Sequence, residues 1–175
     1  MKTVHSLLVL LVVMFLSACT ASRPPIGTGQ QFTSIVENPE KDKSALVYIY
    51  RKDGWGYERK WGHVPIVVSV DQQNSPNIPV VALLSNMYRA YLFAPGKTVF
   101  KAPLTSHELE LVAGKTYCME TGWRYRFLDV ITLNETPLEE CMESMKGLEQ
   151  VKKLNDIRLQ NGQGPLQQVG FKDTP

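Results

Sequence analysis

Cysteine is scarce in this chain: there are three in 175 residues, at positions 19, 118 and 141. That is too few for a small domain held together mainly by disulfides, and no two of them form a CxxC redox pair. A charge of one sign is also missing. Nineteen basic residues face seventeen acidic ones, a formal net charge of +2, so there is no electrostatic case for nucleic acid as a partner. Twelve Gly and eleven Pro fall short of a low-complexity or collagen-like fraction. The longest apolar run is well below the roughly 20 residues a membrane-spanning helix needs. Catalytic signatures are lacking too. There is no HExxH for zinc and no GxSxG elbow for a nucleophilic serine. Two GKT strings, Gly96-Lys97-Thr98 and Gly114-Lys115-Thr116, lack the glycine a phosphate loop requires five residues earlier. Tyr91 and Leu109 stand there instead. Both strings read as hairpin turns. The composition therefore calls for no metal and no cofactor.

What is present begins with an address. Lys2 precedes an unbroken apolar run at residues 7–16 (LLVLLVVMFL), which has the length of a secretory h-region. The run ends in Leu16-Ser17-Ala18-Cys19. This resembles the bacterial lipobox, in which the signal is removed before the cysteine and that cysteine is acylated. The resemblance implies a signal peptide at residues 1–18 and a lipid anchor on Cys19. Two or three acyl chains, at ~0.8 kcal/mol per buried CH2, hold a protein to a bilayer effectively permanently. In the lipoproteins it resembles, an Asp after the cysteine favours retention at the inner membrane; here Thr20 stands there, so the resemblance implies the outer membrane, with the domain facing the periplasm. Losing residues 1–18 removes only Lys2, which leaves 19 − 1 = 18 basic against 17 acidic residues. Charge then does not choose a partner.

Residues 19–43 read as the lipidated N-terminus and a flexible tether, because they are polar and rich in Pro and Gly. From Ser44 the pattern changes to strands. Residues 45–51 (ALVYIYR) are apolar on both faces, as in a central strand. Further strands are expected at 64–70, 79–84, 87–94, 97–102, 107–111, 116–121 and 126–133, separated by turn residues. In 107–111 (HELEL) the two leucines point inward and Glu108 and Glu110 outward. No helical period appears before residue 136, which argues against a parallel sheet built from βαβ units. At 136–139 (TPLE), Thr136 offers a cap, Pro137 suits the first turn and Glu139 completes a capping box. Leu138, Cys141, Met142, Met145 and Leu148 share one helical face. The expectation is a mainly β protein: an antiparallel β-sandwich at 44–135, a C-terminal α-helix within 136–160 that stops or kinks at Gly147, and a flexible tail at 161–175.

A VYIYR strand, an aromatic strand ending in Pro95-Gly96-Lys97, an alternating strand and a Gly114-Lys115-Thr116-Tyr117 turn follow one another in that order. This order is similar to a family of small bacterial lipoproteins catalogued only as a domain of unknown function. The resemblance covers about 45–123 and implies a β-sandwich without assigning an activity.

Two thiols remain beside Cys19. In an oxidising compartment Cys118 and Cys141 are expected to form a disulfide that staples the last hairpin to the helix. The remaining chemistry is aromatic and basic. The loop at 52–63 (KDGWGYERKWGH) interleaves Trp55, Tyr57 and Trp61 with Arg59, Lys60 and His63, and residues 123–127 (WRYRF) have the same character. Such surfaces suit glycans or a protein partner. Alternatively, the rings fold back over sheet edges while the charges reach solvent. Trp61, next to a strand, is expected to be partly core. The expected function is a non-catalytic binding or scaffolding module of the cell envelope, with an envelope protein or glycan as partner. The alternative is an envelope hydrolase whose site is assembled from scattered residues such as His63, Asp71, His107 and Glu108.

Overall fold

The computed structural model describes residues 27–52, 61–72, 75–126, 128–153 and 171–173. Two sheets lie face to face. The larger contains β1 (Gly27–Gln31), β2 (Ala45–Arg51), β5 (Met87–Phe93), β8 (Thr116–Arg126), β9 (Leu128–Glu135), β10 (Glu149–Val151) and β11 (Phe171–Asp173). Its order is β1-β10-β5-β2-β8-β9, with β11 also against β5. The smaller sheet has the order β4-β3-β6-β7, from β3 (Ile66–Gln72), β4 (Ser75–Leu83), β6 (Gly96–Ala102) and β7 (Thr105–Leu111). One short helix, α1 (Leu138–Met145), follows β9. The expected β-sandwich with a C-terminal helix is therefore present. Most pairings are antiparallel, but β2 runs parallel to β8 and β10 parallel to β5. The larger sheet is therefore mixed.

The central position expected of residues 45–51 holds. β2 lies between β5 and β8, and all seven of its residues are buried. Strand periodicity divides them between two cores. Ala45, Val47 and Ile49 face the smaller sheet, together with Tyr91, Phe93 and Phe100. Leu46, Tyr48 and Tyr50 face outward into a second cluster with Tyr88, Leu92, Cys118, Cys141 and Met145. The outer face is covered by α1 on one side and by the N-terminal segment on the other. The fold thus has a third, partial layer, which explains why neither β2 nor β5 alternates with polar residues.

That layer changes three boundaries. Residues 27–43, expected to be tether, belong to the domain. β1 pairs with β10, and Phe32 makes edge-to-face contacts with Tyr48 and Tyr88, with ring centroids 6.1 and 5.4 Å apart. A single Phe cannot fold a polar segment alone, but it can dock that segment on rings already in place. The helix is shorter than 136–160. It ends at Met145, Gly147 takes a left-handed φ of 76°, and the chain re-enters the sheet as β10. The capping box does not form. Pro137 occupies the cap position with no side-chain cap bond, and the Thr136 amide donates to the Cys118 carbonyl at 2.9 Å. Finally, residues 171–173 of the expected tail are β11, antiparallel to β5.

Cys118 on β8 and Cys141 on α1 are joined as a disulfide across Cα atoms 6.2 Å apart. Closing 23 residues of chain contributes about 3 kcal/mol by loop entropy. We expect Cys118→Ala with Cys141→Ala to lower unfolding free energy by about that amount in urea, with strand content retained in circular dichroism. An unchanged urea midpoint would show that the bond does not hold the helix in place.

Candidate functional site

The described parts of the two aromatic and basic stretches meet at one end of the sandwich, through Trp61 and Trp123. β8 pairs with β2 only from Thr116 to Glu120, yet it continues to pair with β9 as far as Arg126. The β8–β9 hairpin therefore runs on past the end of β2, alongside the place where the 52–63 loop leaves that strand. Trp61, at the return of the loop, lies against Trp123 of the hairpin. Their ring centroids are 6.0 Å apart and their planes are inclined by 32°. Both rings are half-buried, and Trp123 packs on the inner core. Arg124, next to it, is exposed. Trp61 is thus half-buried against a ring that itself packs on the core. Trp55, Tyr57 and Arg59 lie outside the described residues. The link between Trp61 and Trp123 cannot be read from sequence, since 123 − 61 = 62 positions separate them.

The base of this end is held by Arg51, the last residue of β2, whose side chain is fully buried. Its guanidinium donates to the carbonyls of Val64 at 2.7 Å, Leu83 at 3.0 Å and Trp61 at 3.1 Å. Buried charge is tolerated where donors find strong acceptors, and the planar fork of arginine suits several carbonyls at once. The bond to Trp61 fixes the backbone that carries the ring. Two main-chain bonds complete the turn: Val64 N to Trp61 O at 2.9 Å and Ser85 N to Gly62 O at 3.0 Å.

On the other side of the sheet, Glu120 collects two donors. The Tyr50 hydroxyl donates to it at 3.1 Å, and the Lys52 ammonium pairs with the same oxygen at 3.1 Å. Lys52, the last described residue before the loop, is thus tethered to the sheet. Burial pushes the Tyr50 phenol up to about 12, and the Glu120 charge adds to this while Thr136 and Ser144 oppose it.

The residues of the hydrolase alternative do not come together. Asp71 on β3 pairs with Lys101 and accepts from the Asn77 amide. Glu108 on β7 pairs with Lys97 at 2.9 Å. His107 is half-buried opposite Phe100, and His63 lies exposed in the turn after Trp61. Among the described residues neither histidine is hydrogen-bonded to a carboxylate, and no three His, Cys, Asp or Glu side chains converge as a metal site. Leu109 and Leu111 point inward and Glu108 and Glu110 outward, as the alternation predicts. A separate cavity of about 240 Å³ lies against the N-terminal segment, lined by Gln30, Gln31, Phe32, Tyr48, Tyr88 and Gln150 among others. Sequence reasoning missed it because it assigned that segment to a tether.

Two measurements test this geometry. If the Trp61 and Trp123 rings support each other, urea unfolding of the two single alanine variants and the double should give a coupling of about 0.5–1.5 kcal/mol. Strict additivity would mean the rings do not support each other. For Tyr50, a folded pKa above the unfolded value means the native state holds the proton more tightly. Its stabilising contribution is complete below the ordinary phenol pKa of about 10 and is lost as pH rises through about 12. The phenolate absorbance of wild type minus Tyr50→Phe should therefore rise near pH 12, and a rise near pH 10 would contradict this. Comparison with protein-family models, with curated proteins and with solved structures gives no match.

Proposed function

We propose that this is a lipoprotein anchored in the bacterial outer membrane through acylated Cys19, with a β-sandwich that acts as a non-catalytic binding or scaffolding module of the envelope. The observation that carries the anchor is the cysteine pairing. Cys118 and Cys141 are bonded to each other. The one cysteine left is Cys19, directly after a ten-residue apolar run and two small residues. A disulfide also suits an oxidising compartment rather than the cytosol. The likeness to small bacterial lipoproteins, carried by strand and turn motifs alone, points the same way.

Binding is favoured over catalysis by how side chains are committed. Asp71 and Glu108, the two carboxylates named in the hydrolase alternative, are paired with lysines. Trp61, Trp123 and Arg124 instead share one end, beside a turn fixed by Arg51. Half-buried indoles beside an exposed guanidinium present flat apolar area and a charged donor together, which suits a glycan or a protein surface. The partner is an envelope protein or glycan met in the periplasm.

Metabolic labelling of cells with a fatty-acid analogue tests the anchor. We expect wild type to be labelled and Cys19→Ala to lose all label and leave the membrane fraction. Equal labelling of the two would refute the anchor. For the binding end, a photocrosslinking residue at Arg124 should give discrete adducts in cells. The same residue at Ser106, on the exposed side of β7, should not.

A further inference from the structure

The sandwich has two ends, and the path of the N-terminal strand distinguishes them. Arg51, Met87 and Glu149 lie at the same level across the larger sheet. β1 pairs Gln31 with Glu149 and Gly27 with Val151. Followed backwards from Gln31 to Gly27, the chain therefore moves away from the Arg51 end and towards the opposite end, where β2 begins at Ala45 and β5 finishes at Phe93. It was expected to leave the domain at Ser44. Because residues 27–43 are part of the fold, only 27 − 19 = 8 residue steps join Cys19 to Gly27. Eight steps span about 29 Å at full extension, against roughly 90 Å for the 25 steps to Ser44.

From Gly27, the Ala45 end lies about 13 Å further along the strand direction, since Val151 stands level with Arg89 and four residues remain to Phe93. The tip of the β8–β9 hairpin lies the opposite way. Arg126 is six residues beyond Glu120, which pairs with Tyr50. From Gly27, level with Met119, that is about 23 Å along the strands. A tether of at most about 29 Å reaches a bilayer under the Ala45 end with slack, and reaches one under the hairpin tip only when stretched out.

The Ala45 end is formed by turns that adjoin one another. The Gly114 amide donates to the Ser44 carbonyl at 3.0 Å, and the Leu46 amide to the Lys115 carbonyl at 2.9 Å. Gly114 has a φ of 79°, and a Cβ there would stand 3.0 Å from the Lys41 carbonyl, so the two turns touch. Across residues 39–44, 94–97 and 112–115 there are four lysines (41, 43, 97 and 115) and two acids (Glu40 and Asp42), and of these lysines Lys41 pairs with Glu37 and Lys97 with Glu108. Lys43 and Lys115 are exposed and form no ion pair among the described residues. Val112, 43% exposed, directly follows β7 at the same end. Charge alone does not choose between the two ends, because the aromatic end is basic as well. The tether chooses.

We infer that the Ala45 end of the sandwich rests on the phospholipid surface, with Lys43 and Lys115 against anionic headgroups, and that the Trp61 and Trp123 end is held away from the bilayer. Trp123 is seven residues beyond Thr116, where β8 begins at the Ala45 end, so the indoles stand about 23 Å from that end. The partner is then met well above the membrane plane. This inference rests on acylation at Cys19.

The test uses the acylated protein reconstituted into vesicles containing an anionic phospholipid and a lipid with a nitroxide on its headgroup. Val112→Cys and Leu104→Cys each receive a fluorophore. Leu104 is 97% exposed in the β6–β7 turn at the other end of the smaller sheet, about 26 Å from Val112 along β7. Cys19 is acylated and Cys118 and Cys141 are bonded, so each variant carries one reactive thiol. We expect strong quenching at Val112 and at least about twofold weaker quenching at Leu104, given that separation. Lys43→Glu with Lys115→Glu should reduce quenching at Val112 without releasing the protein from vesicles. Equal quenching at the two positions, or stronger quenching at Leu104, in protein that floats with the vesicles would overturn the orientation and leave the anchor standing. Protein that does not float with the vesicles would overturn the anchor, and the orientation with it.

Discussion

A guanidinium buried at the end of the central strand sets the terms for the rest of this fold. Arg51 continues the inward phase of Ala45, Val47 and Ile49, so strand geometry carries its charge into the space between the sheets. A charge there persists only if it is supplied with acceptors. Leu83 on β4, Val64 before β3 and Trp61 in the loop provide them. These groups belong to the opposite sheet or to the segment leading into it. One side chain of the larger sheet therefore fixes where the smaller sheet begins, and the turn that presents Trp61 is held by the same bonds. At the opposite end a neutral amide has a comparable place. Gln72, the last residue of β3, donates to the Ala94 carbonyl at 2.7 Å and to the Thr98 hydroxyl at 2.9 Å. The two sheets are thus joined by polar contacts at both ends and by apolar packing between.

The outer face of the larger sheet presents a second problem. Leu46, Tyr48, Tyr50, Tyr88 and Leu92 would be an exposed apolar surface in a plain two-layer sandwich. The chain covers it from both termini. The disulfide draws α1 over Cys118, and Phe32 brings the N-terminal segment over Tyr48 and Tyr88. Polar groups direct the fit. The Tyr48 hydroxyl accepts from the Val36 amide at 2.9 Å, and Asn38 donates to the Ser44 carbonyl at 2.7 Å. The cover is lighter than the sheet beneath it, which is where the cavity of about 240 Å³ remains.

Much of this was legible in the sequence wherever the signal was local. The strands carry their own periodicity, so β2, β5, β6 and the inward leucines of β7 could be placed before any contact was known. The helix start, the stop at Gly147 and the cysteine pair were local signals too. What failed was what depends on a partner elsewhere. Residues 27–43 look like a tether because their composition cannot form a core, and it does not; Phe32 borrows one. The parallel pairing of β2 with β8 leaves no mark in either strand. Thr136 has the sequence of a cap, yet its amide is taken by the Cys118 carbonyl, which continues the strand as far as the helix. Of the candidate site, both aromatic stretches were visible, but not that Trp61 and Trp123 meet. That depends on β8 outrunning β2, a matter of register.

Register also explains why the aromatic end can act as a surface and not merely as a loop. A loop of twelve residues at 52–63, free at both ends, would lose much conformational entropy on meeting a ligand. Here Lys52 is held by Glu120 on one side, and Trp61 is held by Arg51 on the other. The hairpin that supplies Trp123 and Arg124 is paired through Arg126, well beyond the edge of its neighbour. The described part of the surface is therefore ordered before any partner arrives, which lowers the cost of binding. The same pairing that builds the inner core places the indoles together, so the aromatic end is a consequence of how far β8 extends and of where the charge on Arg51 must be met.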